Sequence, residues 1–263
     1  MEEYRSCYTD SYARDGASGA SYDKGVSNRF ELFIFQIEKR ILLDILLFVN
    51  KKGTDIEYLD YACGTGRILS VFKEKIKNIF GMDTSQDQMI EAEEKVPSAE
   101  FIAGNIVTEP ELLDGRSFDL ITCFRLFLNL EKENRAPVLK KLCEFLKEDG
   151  TLAVDNHMNR YSILGLIALF MRKVLGYPEK STVPCGSKGI IGTMSEKQMR
   201  SYLKESGLEV VRVYRFVLFP GHKSFLLLPG SLLLKVEWIF SKVPLVNLFS
   251  KNQIFVCRKQ KKT

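Results

Sequence analysis

At 263 residues and 45% hydrophobic content, the chain is long enough for one α/β domain with insertions and a sizeable core. Its formal charge of +5 is matched by the cations of residues 251–263 alone (Lys251, Arg258, Lys259, Lys261 and Lys262), which argues against a broad nucleic-acid surface. Six scattered cysteines and only two histidines favour neither a disulfide framework nor a zinc site, so reduced thiols in a cytoplasmic protein fit best.

Residues 1–25 are polar, carry Gly16, Gly19 and Gly25, lack the basic and apolar regions of a signal peptide, and read as a flexible arm. Phe30, Phe33, Ile34, Ile37, Ile41, Ile45 and Phe48 then recur at helical spacing, which predicts a helix over 28–49 ended by Lys51-Lys52-Gly53. Tyr12, Tyr22 and Arg29 are candidates for the roof of a site beneath that segment. The run from Ile56 to Tyr61 suits a buried parallel strand, and it breaks into Ala62, Cys63, Gly64, Thr65 and Gly66. An amphipathic helix with Ile68, Leu69 and Phe72 on one side should follow. Strand, small-residue turn and helix make the first half of a nucleotide-binding βαβ unit. Small residues let backbone N–H groups approach a ligand, and the helix N-terminus adds a positive field. The dinucleotide fingerprint requires a third small position, which here is Leu69, so an NAD enzyme is disfavoured.

A second strand over 78–82 ends at Asp83, where a carboxylate can accept both ribose hydroxyls of an adenosine, and Ser85 or Thr84 would cap the next helix. A third strand, 99–103, leads into Gly104-Asn105-Ile106. A fourth, 118–123, runs into Phe124-Arg125-Leu126-Phe127-Leu128-Asn129. After a helix over 133–146, Asp149-Gly150 turns into a fifth strand that delivers His157 to the same carboxyl-end rim. An apolar helix over 162–175 and a Pro/Gly/Ser-rich loop come next. Ser195-Glu196-Lys197-Gln198 has the pattern of a capping box, ahead of a sixth strand over 208–216. A last strand over 253–257 should close the sheet antiparallel. Within the insertion 218–249, Ser231, Lys235, Trp238 and Lys242 share one stripe, opposite Leu232, Leu233, Val236, Ile239 and Phe240. The stretch 163–171 is too short to span a membrane, and charges and prolines interrupt 225–249.

Asp60-x-Ala62-x-Gly64-x-Gly66, the Asp83-Thr84-Ser85 strand tip, Gly104-Asn105-Ile106 and Phe118-Asp119-Leu120-Ile121 together resemble the ordered motifs of class I S-adenosylmethionine-dependent methyltransferases. The resemblance covers roughly residues 55–216 and the final strand, and departs in Ala62 for glycine and Asn105 for aspartate. It implies a Rossmann-like three-layer α/β sandwich with a seven-stranded, mostly parallel sheet whose last strand is antiparallel, a helical N-terminal cap and apolar insertions. The domains expected are an arm and cap helix over 1–50, then a methyltransferase domain over 51–263 with lid insertions near 161–194 and 218–249. The cofactor implied is S-adenosyl-L-methionine, with S-adenosyl-L-homocysteine as product. Its expected binding residues are Asp60, Ala62, Cys63, Gly64, Gly66, Asp83, Thr84, Met89, Asn105, Ile106 and Phe124, with no metal. A carboxylate at Asp60 suits a ligand that carries an ammonium and a sulfonium. His157, Arg125 and Asn129 are the candidates for catalysis, His157 as base. The expected acceptor is a small molecule, such as a hydroxyl of a saccharide or lipid-linked compound, with weak membrane-surface contact through 218–249 and no nucleic-acid partner. Two alternatives stay open: a non-catalytic S-adenosylmethionine-binding protein, and a methyltransferase acting on a macromolecule.

Overall fold

A computed structural model describes residues 29–49, 55–179, 192–218, 230–240 and 243–261. The polar arm, Tyr12, Tyr22, the 51–53 helix stop and most of the Pro/Gly/Ser-rich loop lie outside these residues, as does the Arg29 side chain. The chain begins with α1 (Arg29–Val49), then β1 (Glu57–Tyr61), α2 (Leu69–Phe72), β2 (Asn78–Asp83), α3 (Gln86–Lys95) and β3 (Glu100–Ala103). There follow β4 (Phe118–Cys123), α4 (Lys132–Phe145), β5 (Leu146–Asn156), α5 (Ile163–Leu175), α6 (Glu196–Glu205) and β6 (Leu208–Phe216). The C-terminal part is α7 (Gly230–Phe240), α8 (Pro244–Asn247) and β7 (Asn252–Lys259).

The sheet order is β3-β2-β1-β4-β5-β7-β6, with β1 to β5 parallel and β7 antiparallel to both of its neighbours. The order reverses at β1, so the crevice beyond β1 and β4 is where ligands bind in open α/β sheets. Period-two alternation splits the core into two layers. Leu59, Ile121, Leu152, Phe255 and Cys257 face α4 and α6, while Tyr58, Leu120, Ala153, Ile254 and Val256 face α1, α2 and α3. The three-layer architecture expected from the motifs is the one observed.

Four local expectations need correction. The helix after the glycine turn is a single turn, Leu69–Phe72, preceded by a turn in which Gly66 N–H donates to Cys63 O. It therefore supplies little helix-end field. Ser85 occupies the N-cap position of α3 but makes no side-chain cap; Asp83 Oδ1 accepts the Ser85 N–H instead, at 2.9 Å. β5 begins early, at Leu146 beside Phe118, with a register shift before Leu120. On α7, Leu232 and Ile239 are exposed, and the buried group is Glu237, whose Oε1 accepts the Leu218 N–H at 2.8 Å. The capping box of α6 forms as expected, with Ser195 and Gln198 reciprocally bonded.

Candidate active site

β1 ends in a turn made of unusual backbone. Ala62, Gly64 and Gly66 all have positive φ, at 59°, 52° and 74°. Small residues are needed here, since a left-handed residue with a Cβ is strained by about 1–2 kcal/mol. Gly66 is also a contact point: a Cβ there would meet Ala92 Cβ of α3 at 2.9 Å. Close packing of the turn onto a helix, usually the job of a third glycine, is thus done by the Gly66–Ala92 pair, which is why Leu69 is tolerated.

The turn borders a cavity of about 360 Å3 at the carboxyl ends of the parallel strands. Asp60, Ala62, Cys63, Gly64, Asp83, Thr84, Phe124, Arg125, Asn129 and His157 all line it. Gly66, Met89, Asn105 and Ile106 do not. Asn105 is engaged locally: its Oδ1 accepts the Val107 N–H at 3.0 Å and the Tyr61 hydroxyl at 3.4 Å. The described parts of α5 and α7 contribute no lining residue.

Asp60 is 1% exposed, and its Oδ1 accepts the Thr122 hydroxyl at 2.5 Å while Tyr58 OH lies 2.7 Å from the same hydroxyl. Thr122 spends its proton on the carboxylate, so Tyr58 donates to Thr122. Asp60 Oδ2 has no partner among the described residues. Burial raises the pKa of this carboxyl from 3.8 to about 7, against the lowering effects of Thr122 and Arg67. Such a group asks for a cationic hydrogen-bond donor. Asp83 is raised too, chiefly by burial, although it accepts N–H bonds from Gly64 at 2.8 Å and Ser85. Thr84 N–H donates to it as well, and the carboxylate, with about four lone-pair sites, keeps one for a ligand hydroxyl.

Across the cavity, Arg125 has φ 59° and donates its N–H to Asp155 Oδ1 at 2.6 Å. Its guanidinium pairs with Glu31 of α1 at 2.8 Å, and Asn129 Nδ2 donates to Arg125 O at 2.6 Å. Arg125 is therefore held by the cap helix. His157 Nδ1 lies 3.6 Å from Asp155 Oδ2, and both atoms are buried without a hydrogen bond.

Sequence reasoning missed Glu31, Glu38, Arg67, Lys251 and Asn252. Glu38 is buried on the same stripe of α1 as Ile34, Leu42 and Ile45, and it pairs with Arg67. The signal was present: acids at 31 and 38, two turns apart on that stripe. Lys251 was counted with the basic tail, and nothing in its local sequence separated it.

Residues 59–150 match the family model described as a methyltransferase domain. A ubiquinone/menaquinone biosynthesis C-methyltransferase of Campylobacter jejuni is 28% identical over 210 residues, covering 73% of this chain and 86% of that one. A demethylmenaquinone methyltransferase of Thermotoga maritima is 31% identical over 118 residues, 44% of this chain and 48% of that one. Among solved structures, magnesium protoporphyrin IX methyltransferase from Synechocystis with bound S-adenosylhomocysteine superposes with a TM-score of 0.61 at 14% identity, over 96% of this chain and 100% of that one. That likeness is one of fold. Among the described residues, no helix is long and apolar enough to cross a membrane, and no group of side chains could hold a metal ion.

Proposed function

We propose that this chain, a class I S-adenosylmethionine-dependent methyltransferase, methylates a carbon of a small phenolic acceptor of the quinol type. The observation that carries the acceptor chemistry is the buried His157–Asp155 pair at the cavity rim, 3.6 Å apart. The C-methyltransferase relatives support the same reading, whereas a saccharide hydroxyl draws no support from them. S-adenosylmethionine supplies an electrophilic methyl group. His157 takes the phenolic proton, the O–H electron pair delocalises to a ring carbon, and that carbon bonds the methyl group as the methyl–sulfur bond breaks and its electron pair leaves with S-adenosylhomocysteine. Loss of the ring proton from that carbon restores aromaticity. Asp155 stabilises the imidazolium that forms. Phe124, Leu126 and Met158 supply apolar wall for the ring.

The cofactor fits the residues present. Asp60 Oδ2 would hold its ammonium, Asp83 its ribose hydroxyls, and the turn from Ala62 to Gly64 would let backbone approach it closely. Asp83→Ala should weaken S-adenosylhomocysteine binding by about 1.5–3 kcal/mol, the scale for hydrogen bonds to a charged group. Calorimetry giving an unchanged affinity would remove Asp83 from the site. The cap over 1–50 is supported by the Glu31–Arg125 and Glu38–Arg67 pairs. Lid roles for 161–194 and 218–249 rest on their positions after β5 and β6. Contact of 218–249 with a lipid surface rests on the exposed Leu232, Trp238, Ile239, Leu248 and Phe249. A cytoplasmic location rests on the free thiols of Cys63, Cys123, Cys143 and Cys257.

Asp60 gives a pH prediction. Its folded pKa of about 7 lies above the ordinary 3.8, so the native state holds a proton that the unfolded chain has lost. Stability from this group therefore falls as pH rises from 3.8 to about 7 and is level above that. A ligand ammonium prefers the ionised form, so S-adenosylhomocysteine affinity should rise over the same interval. Asp60→Asn should flatten that rise; calorimetric affinities with the same pH slope in both proteins would refute it. The acceptor reading is tested by incubating the enzyme with S-adenosylmethionine carrying a labelled methyl group and a panel of quinols. Carbon-bound methyl in the product spectrum is expected, and exclusively oxygen-bound methyl overturns it.

A further inference from the structure

Charged groups from successive strands line the cavity rim. Asp83 and Asp60 belong to β2 and β1, Arg125 follows β4, His157 follows β5, and Lys251 leads into β7, where Gln253 pairs with Asn156. Asp83 and Asp60 line the β2–β1 side together with Arg67, and Arg125 and Lys251 line the β4–β7 side together with Glu31. The charge on Arg125 is met by Glu31. Lys251 feels the charges of Glu31, Glu38 and Asp155 from further off, but among the described residues its Nζ donates no hydrogen bond and makes no contact ion pair; the Phe30 ring is centred 5.5 Å away. Beside it, Asn252 is 3% exposed, lines the cavity, and leaves its Oδ1 without a partner.

Both residues sit on backbone that is held from two sides. Lys251 N–H donates to Val217 O at 2.7 Å, and Lys251 O accepts the Asn159 N–H at 2.8 Å. Asn159 Nδ2 also bonds Leu248 O and Ser250 O, at 2.8 and 3.0 Å. Val217 is a β-branched residue at φ 63°, a conformation such side chains rarely adopt, and Glu237 fixes the next N–H. Strain of this kind persists where surroundings over-determine it, and it clusters at functional sites. A half-buried ammonium that donates no hydrogen bond and a buried amide oxygen without a partner among the described residues are costly to leave so. Together they match a ligand that brings an anion and a donor.

We infer that Lys251 and Asn252 form an anion subsite for the acceptor, Lys251 holding its ionised ring oxygen and Asn252 Oδ1 accepting from a hydroxyl on the adjacent carbon. This rests on the phenolic reading above and narrows it to rings with neighbouring oxygens. In the low dielectric of the cavity the ammonium favours the phenolate formed when His157 takes the proton.

The probe is 4-nitrocatechol, whose monoanion is coloured, added to protein saturated with S-adenosylhomocysteine at a pH where half of the free probe is ionised. The bound probe should show the monoanion band alone. Lys251→Ala should weaken its binding at least about tenfold and remove the spectral preference, while Lys251→Arg restores both. Affinity for S-adenosylhomocysteine should stay within about twofold, a change of less than 0.5 kcal/mol. The inference is overturned by wild-type protein that binds the neutral form or does not bind the probe, and by an alanine variant that binds it unchanged. Where the alanine variant does not fold, the wild-type spectrum alone decides between these outcomes. A quinol panel yielding only O-methyl products would defeat the carbon-acceptor reading while leaving the nitrocatechol result standing, so the two failures are distinguishable.

Discussion

His157→Ala should lower turnover by about 10²–10⁴-fold, the range for losing a positioned general base, with S-adenosylhomocysteine affinity almost unchanged. The geometry sets this expectation. Nδ1 and Asp155 Oδ2 are both buried, 3.6 Å apart and otherwise unbonded, while Asp155 Oδ1 is occupied by the Arg125 N–H. Such a pair can shorten when the imidazole gains a proton, as catalytic contacts often do only in the reacting complex. Asp155→Asn removes the charge but keeps the shape, so it should reduce turnover less than His157→Ala and leave Arg125 in place. Single-turnover rates separate chemistry from release. A stably folded His157→Ala protein with wild-type single-turnover rates would show that the site works by alignment alone.

The second large effect is on stability. Gly66→Ala should destabilise the fold by about 2–5 kcal/mol, combining the left-handed backbone penalty with overpacking against Ala92. Gly115 separates the two contributions. It has almost the same φ, 75° against 74°, but nothing lies within 4 Å of its would-be Cβ. Gly115→Ala should therefore cost only the backbone part, about 1–2 kcal/mol. Denaturant melts of both variants measure the difference. Equal losses would mean that the Ala92 contact relaxes freely, and the turn would then be less tightly seated on α3 than its geometry indicates.

Gly66 also shows why much of the fold could be read from the sequence. Turn chemistry, strand alternation and the capping box at Ser195 are local, and the residues that carry them are neighbours in the chain. β6 was legible over its full length, Leu208–Phe216, for the same reason. The first half of the cavity followed, because Asp60, Gly64 and Asp83 sit at strand ends whose order the motifs specify. What stayed hidden depends on distant pairing. Arg125 meets Glu31 across 94 residues, and nothing near either position announces the contact. Lys251 became a wall of the cavity only through β7 and Asn159. Glu237 counted only among the charges that interrupt 225–249, yet it is buried and accepts the Leu218 N–H, a contact that depends on the distant backbone after Val217.

The placement of β7 also constrains the order in which the molecule can be assembled. It is the last strand in sequence, yet it lies inside the sheet, and β6 is hydrogen-bonded to nothing else in that sheet. Until residues 252–259 are available, β5 and β6 both present open edges, and such unpaired strands are templates for misassociation. Asp60 and Asp83 belong to strands made early, whereas Lys251 and Asn252 arrive with the closing strand. A chain still emerging from the ribosome can thus assemble the Asp60–Asp83 side of the cavity before Lys251 and Asn252 exist to complete it.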